Sequence, residues 1–339
     1  MSKKYRMVFF VMALCVFTIC SGVSGSAQAA DFTLKIGATV QEDSASGLSL
    51  TQYFKPYVEE KSGGRIKVEV YCNSVLGGDR QMFESLQVNT LEANFGPLSV
   101  LANFDPNFSV VDAPFLFKNK KTAYAALDGE FGAMLAENLP KIGMRLLGYG
   151  ENAFRNISNN VRAINTMADM KGLKIRVMEA PVYINTMKAL GANGTPMAFN
   201  ELYTALQQGT VDGQDNGVVL TYTAKVYEVL KYYTFTEHCY AANAYVFSDA
   251  FLKSLPEDLL QVVKDGSIYA LTNQRRLNTE MEDEFIKLIE NSGVKVNRLS
   301  DEERAAWQKA TASVLDDLAG VVEPKVLEAA KKINEVYGK

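Results

Sequence analysis

An α/β protein in two lobes is what this sequence predicts, on three observations. Strand-like and helix-like periods alternate along the chain. Its 339 residues exceed what one hydrophobic core usually holds. A long helical stretch, about 256–291, has no proline after Pro256. The composition, 47% hydrophobic and 22% charged, is that of a globular chain.

The N-terminus reads as a leader. Lys3, Lys4 and Arg6 precede an apolar run from Met7 to Cys20, and Ala27-Gln28-Ala29 has the small-x-small form of a signal-peptidase site. Cleavage is expected after Ala29, giving an exported protein. A lipoprotein reading of Cys20 is the rival, and Ile19 stands before it where a small residue is expected. Loss of 1–29 removes three positive charges and no acid, moving the formal charge from −4 to −7. An acidic chain without a Lys/Arg cluster is a poor nucleic-acid binder. Beyond the leader no apolar run is long enough to span a bilayer. Cys72 and Cys239 remain after cleavage; export permits a disulfide, and the sequence leaves their pairing open.

The mature chain opens with a strand in which Phe32, Leu34 and Ile36 alternate with Thr33 and Lys35. "SGLSLTQYFKPYVEEKSGG" is a helix with Leu50, Tyr53, Phe54 and Tyr57 on one stripe, stopped by Gly63-Gly64. "RIKVEVY" returns as a strand, completing a βαβ unit and hence a parallel sheet. "GDRQMFESLQVN" reads as helix, "LEANFGPLSV" begins as strand, and "KKTAYAALDGEFGAMLAENLPKIG" is helical. The strand "MRLLGYG" follows, then the strand "KGLKIRV" and the helices "APVYINTMKALG", "NELYTALQQG" and "TYTAKVYEVLKYY". In 256–291, Ser254 suits the start, Glu257 and Asp258 suit the positive helix end, and Ser292-Gly293 stops it. Apolar residues crowd both ends while the middle, "TNQRR", is polar. Such a helix touches two lobes and crosses the gap between them; a break near Gly266 or Thr272 is the alternative.

Catalytic and cofactor signatures are missing. No phosphate-binding glycine loop, zinc signature or G-x-S-x-G motif occurs, and the only histidine is His238, read as structural. No cofactor is expected. An exported two-lobed protein without an evident catalytic group fits a ligand trap that closes by hinge motion.

Three stretches then carry a family resemblance. "GLKIRVMEAPVY", "ALGANGTPMAFNELYTALQQGTVDGQDN" and "KVYEVLKYYTFTEH" resemble the signature core of the solute-binding proteins of TRAP transporters, the DctP family. "EEKSGGRIKVEVYCNSVLGGDRQMFESLQ", "VVDAPFLFKN" and "SDAFLKSLPEDL" resemble its flanking segments in the same order. The resemblance implies a type II-like periplasmic-binding-protein fold, each lobe a sheet flanked by helices, with the long helix shared between them. It places lobe I at 30–152 and 242–280 and lobe II at 153–241 and 281–339. It implies a periplasmic monomer that captures a small organic acid and hands it to a TRAP permease. Presenting the ligand to a sensor is an alternative role, and a periplasmic enzyme acting on a carboxylate is a rival from another class. By similarity Arg176 pairs with the ligand carboxylate and Arg155 is a second ligand-contacting arginine. Asn216 and Asn243 are polar contacts, and Phe199 is an aromatic wall. Gly217 stands where proline is common, which would loosen its turn. The loop "QEDSASGLS" lacks a histidine found in many dicarboxylate and sugar-acid binders.

Elementary chemistry supports the same arginine. Leu173, Ile175 and Val177 fall on one face of a strand, Lys174 and Arg176 on the other. A guanidinium offers a planar fork matching a carboxylate and keeps its charge when desolvated. Taken alone, the pattern also allows a solvated Arg176. Arg162 reads as solvated. The "EDSAS" and "FGPLS" loops are expected to complete the pocket from the first lobe, and Glu42, Asp43 or Asp215 could accept a ligand amine. A dicarboxylate, a sugar acid and a 2-oxo acid all remain open.

Overall fold

The computed structural model describes residues 30–338, so the expected leader 1–29 lies outside the described residues. Among the described residues nine strands form one continuous sheet. They are β1 (Phe32–Gly37), β2 (Ile66–Tyr71), β3 (Ala93–Pro97), β4 (Met144–Asn159), β5 (Lys174–Val177), β6 (Asn193–Pro196), β7 (Gly213–Asn216), β8 (Tyr232–Ser248) and β9 (Lys295–Arg298). Their order is β2-β1-β3-β8-β4-β7-β5-β6, with β9 beside β8. Strands β1, β2 and β3 are mutually parallel, as the βαβ pattern predicts. So are β5, β6 and β7. Helices cover these two parallel sets and make the two lobes.

The antiparallel pair β4 and β8 joins the lobes. β8 pairs with β3 through Asn243–Phe247 at one end and with β9 through Tyr232–Phe235 at the other. The register between β4 and β8 shifts between Glu151 and Ala153 and again between Arg155 and Ile157. Irregularities there bend both strands where they pass from lobe to lobe.

These crossing strands correct the sequence reading. The strand expected over "MRLLGYG" continues to Asn159. The single helix expected over "TYTAKVYEVLKYY" is instead two short turns, Val218–Thr223 and Val226–Val229, followed by β8. β8 is buried along nearly its whole length, so both faces are covered and no polar alternation marks it.

One core surrounds β1–β3 with Leu34, Ile36, Val68 and Tyr245, and another surrounds β5 with Ile175, Val177, Met187 and Trp307. A third joins Phe108, Leu116, Phe131 and Tyr240 to Val326, Leu327 and Ile333. The C-terminal helix Pro324–Lys331 thus lays its apolar stripe on first-lobe residues, whereas the sequence reading put all of 281–339 in the second lobe. Cys72 and Cys239 are unbridged and buried in different cores.

Helix Glu257–Asn291 is continuous over 35 residues, a length of about 50 Å at 1.5 Å per residue. Gly266 does not break it. A Cβ there would lie 2.8 Å from Val58 Cγ2 and 3.1 Å from Tyr57 Cδ1, so glycine lets the helix press onto its first-lobe neighbour. At its far end the Phe285 ring lies 4.4 Å from that of Tyr222, tilted by 31°, and Ile289 packs with Val218 and Tyr233. The polar middle departs from expectation, because Gln274 and Asn278 are buried rather than solvated. Gln274 Oε1 accepts from Glu151 N at 2.9 Å and its Nε2 donates to Glu151 O at 2.7 Å. Asn278 Nδ2 donates to Glu151 Oε1 at 2.9 Å. The helix is thereby tied to β4 at the lobe crossing.

Candidate functional site

The carboxyl ends of both parallel strand sets open onto one cleft between the lobes, where ligands of α/β sheets commonly sit. Its free space is only about 30 Å³, so the lobes stand close together. The first lobe lines it with Thr39 and Val40 after β1, Asp79 at the start of helix Asp79–Gln87, and Phe95, Gly96 and Pro97 of β3. The second lobe contributes Arg176, Met178 and Glu179 at the end of β5, Asn216 at the end of β7, and Phe199. The crossing strands add Asn152, Arg155 and Asn243.

Arg176 comes from strand alternation. Ile175 and Val177 point into the core, which turns Arg176 to the opposite face and into the cleft. Its side chain is buried all the same. Nε and Nη2 both donate to the Met197 carbonyl, at 2.9 and 2.7 Å. That bond occupies the side-on fork of the guanidinium and leaves the end-on fork, Nη1 with the outer N–H of Nη2, for another acceptor. Arg176 forms no ion pair among the described residues. Burial, with the like charge of Arg155, pushes it down to about 10, so it stays protonated at neutral pH. The Phe199 ring lies 5.8 Å from the guanidinium carbon.

Arg155 is different. It is neutralised by Asp215, with Nε to Oδ2 at 2.7 Å and Nη2 to Oδ1 at 3.1 Å, both side chains buried. Burial would raise the Asp215 carboxyl, but Arg155 and His238 hold it well below the usual carboxylate range. His238 Nδ1 lies 2.8 Å from Thr236 Oγ1, and its Nε2 is 3.7 Å from Asp215 Oδ2, as suits a structural residue behind the cleft. The cleft therefore presents Arg176 without an ion-pair partner, beside the neutral Arg155–Asp215 pair, with the Glu179 and Asp79 carboxyls also on its lining.

Asparagines and a buried carboxyl complete the lining. Asn216 Oδ1 accepts from Arg155 Nη1 at 3.4 Å and from Gly217 N at 3.0 Å, so this side chain holds Arg155 in place. Asn152 Nδ2 donates to Asn243 Oδ1 at 3.3 Å, leaving Asn152 Oδ1 buried without a partner. Asp79 Oδ2 accepts from Thr39 Oγ1 at 2.9 Å, and Asp79 Oδ1 is also buried and unpartnered. Burial pushes the Asp79 carboxyl up to about 7.

Residues 36–320 match the family model of the bacterial extracellular solute-binding proteins, family 7 (DctP). The chain belongs to this family. Similar proteins include a 2,3-diketo-L-gulonate-binding periplasmic protein of Escherichia coli, 28% identical over 98% of this chain and 99% of that protein. The C4-dicarboxylate-binding periplasmic protein of Rhodobacter capsulatus is 30% identical over 91% of this chain and 93% of that one. Among solved structures, the sugar acid binding protein of Advenella mimigardefordensis in complex with galactonate superposes with a TM-score of 0.85 at 35% identity. That match covers 89% of this chain and 98% of the other. The protein is thus a solute-binding protein of the TRAP type, a family of extracytoplasmic receptors. No helix among the described residues is long and apolar enough to cross a membrane.

The structure brings all five sequence-expected residues of this family 7 member, Arg176, Arg155, Asn216, Phe199 and Asn243, to one cleft. Several other expectations are corrected. Asp215 does not face a ligand amine, because Arg155 occupies it. Glu42 and Asp43 are exposed and do not line the cleft; Thr39 and Val40, just before that loop, do. The "FGPLS" stretch contributes Phe95, Gly96 and Pro97. Gly217 does not loosen its turn, since a Cβ there would fall 2.2 Å from the Ala153 Cβ. Arg162 lies outside the cleft and donates to the carbonyls of Asp169 and Lys171 at 2.8 and 2.7 Å. Thr39, Asp79 and Asn152 were not legible as site residues. Asp79 follows two glycines and opens a helix, where an acid is expected for the helix dipole alone.

Proposed function

We propose that this protein is a periplasmic receptor that captures a small organic acid through Arg176 and delivers it to a TRAP permease. The observation carrying this reading is the buried, unpaired Arg176 guanidinium with its end-on fork free in the cleft. A desolvated cation without a counterion is costly, and a ligand carboxylate supplies both the missing charge and two acceptors. Arg155, held by Asp215 and Asn216, gives the carboxylate a fixed neighbour rather than a second charge to satisfy.

The ligand docks its carboxylate on the second lobe, and the first lobe then folds over it with Thr39, Asp79 and Phe95–Pro97. Direct contacts between lobes accompany closure: Asn103 Nδ2 donates to Glu179 O at 2.9 Å, and Tyr183 Oη donates to Asp112 Oδ1 at 2.6 Å. Because the ligand touches both lobes only when they meet, binding shifts the population to the closed form. The membrane partner reads that closed form. The protein performs no chemistry on the acid and releases it unchanged.

The test is calorimetric titration of purified, ligand-stripped protein with a panel of organic acids, repeated with Arg176→Lys. Lysine keeps a charge and loses the fork, and a loss of ~2–5 kcal/mol of binding is expected. Equal affinity of the variant and wild type for the best acid would refute the assignment.

A further inference from the structure

The crossing strands border a second recess, on the face turned away from the cleft. Along β4, Arg155 points into the cleft while its neighbours Phe154 and Asn156 point the other way, as strand alternation requires. Behind them lies a groove in which Lys120 of the first lobe stands across from Val218, Phe235 and Ile286 of the second. Its free space is about 150 Å³, against about 30 Å³ in the cleft in front. Between the two recesses the strands are irregular. Asn156 Oδ1 accepts from Thr236 N and from Glu237 N, both at 3.1 Å, and Glu237 adopts a left-handed φ of 44°. The β4–β8 register shifts at the same level, between Arg155 and Ile157. The Lys120–Glu282 ion pair, at 2.5 Å, bridges the groove; both side chains are partly exposed, so the pair follows a moving wall at little cost.

We propose that this groove is the counterpart of the cleft: the lobes turn about the bulge at Asn156 and Glu237, the groove widens as the cleft shuts, and the room left in it sets the balance between open and closed forms. This inference rests on the lobe-closure reading above and adds the element that tunes it. Two bodies turning about a pivot that lies between two recesses cannot shut both at once. A nearly shut front beside a roomier back is the arrangement found here. A side chain wide enough to prop the groove therefore excludes the open form. Apparent affinity then rises, because the ligand meets a larger closed population. No ligand contact changes, so the gain is the same for every acid.

The experiment compares wild type with two wedges, Ile286→Trp and Asp283→Trp; Asp283 lines the same groove from an exposed position, so its replacement does not disturb a core. Ile268→Trp, exposed on the same helix and outside the groove, is the control. Ligand-stripped proteins are titrated calorimetrically with D-galactonate, D-erythronate and succinate. Small-angle X-ray scattering gives the radius of gyration of each without ligand. Both wedges should bind every acid that wild type binds about fivefold or more tightly, by one common factor. Without ligand they should be more compact than wild type, and the control should match wild type in both measurements. Unchanged or weaker affinity, or an unchanged radius of gyration, would overturn the role of the groove and leave the acid receptor standing. A gain for one acid alone would overturn it too, since that marks a ligand contact. Should wild type bind none of the three acids, the acid reading falls and scattering decides the groove: compaction of the wedges upholds it, and no change overturns it.

Discussion

Asp215→Asn separates the two arginines most clearly. In the native cleft Asp215 gives Arg155 two carboxylate oxygens, at 2.7 and 3.1 Å, with both side chains essentially inaccessible. The substitution keeps the shape but removes the charge, leaving a buried guanidinium beside the already unpaired Arg176. Breaking one partner of a buried pair costs roughly 3–5 kcal/mol; the retained amide oxygen keeps one contact, so about 3 kcal/mol is expected. In urea, with a slope on the order of 3 kcal/mol/M, the midpoint should fall by roughly 1 M. A bound acid should recover part of this loss, because its carboxylate then lies among two uncompensated cations instead of one. Equilibrium urea unfolding of wild type and variant, with and without the best-binding acid, measures both effects. A midpoint within about 0.2 M of wild type would mean that Asp215 does not neutralise Arg155, and the distinction between the two arginines would fail.

Further outcomes follow from the same geometry. Burial raises the Asp112 carboxyl to about 7, against the Tyr183 hydrogen bond that lowers it. The folded state therefore holds this proton above the pH at which the unfolded chain loses it. Unliganded stability should fall as pH rises from about 4 to about 7, with Asp112 contributing on the order of 1–4 kcal/mol and Asp79 adding to it, so Asp112→Asn should make that slope shallower without abolishing it in urea titrations across pH. Gly217→Ala places a Cβ 2.2 Å from the Ala153 Cβ, where neither backbone can yield easily. It should destabilise by about 1–3 kcal/mol in the same assay. Gln274→Ala removes both hydrogen bonds to the Glu151 backbone at the lobe crossing, and should cost about 2 kcal/mol while leaving far-ultraviolet circular dichroism unchanged.

What could be read in the sequence had a local period. The alternation in "GLKIRV" placed Arg176 on the face away from the core, and the structure puts that face in the cleft. The long helix followed from uninterrupted helical sequence. What stayed illegible depends on partners distant in the chain. β8 shows no alternation because it is covered on both faces. Gln274 and Asn278 look solvated until Glu151, more than 120 residues earlier, is brought to them. Asp79 reads as an ordinary first-turn acid; only its burial and the open space above Gly96 single it out. Asp215 and Arg155 are 60 residues apart, and their pairing turned an expected ligand group into a structural one.

The central claim is that a ligand carboxylate completes Arg176. A crystal structure of the protein with its tightest-binding acid tests it most directly. The account predicts a carboxylate within hydrogen-bond distance of Arg176 Nη1 and Nη2, the Met197 carbonyl still on Nε, and Asp215 still on Arg155. A ligand whose carboxylate lies elsewhere in the cleft, with Arg176 facing no anion, would contradict it.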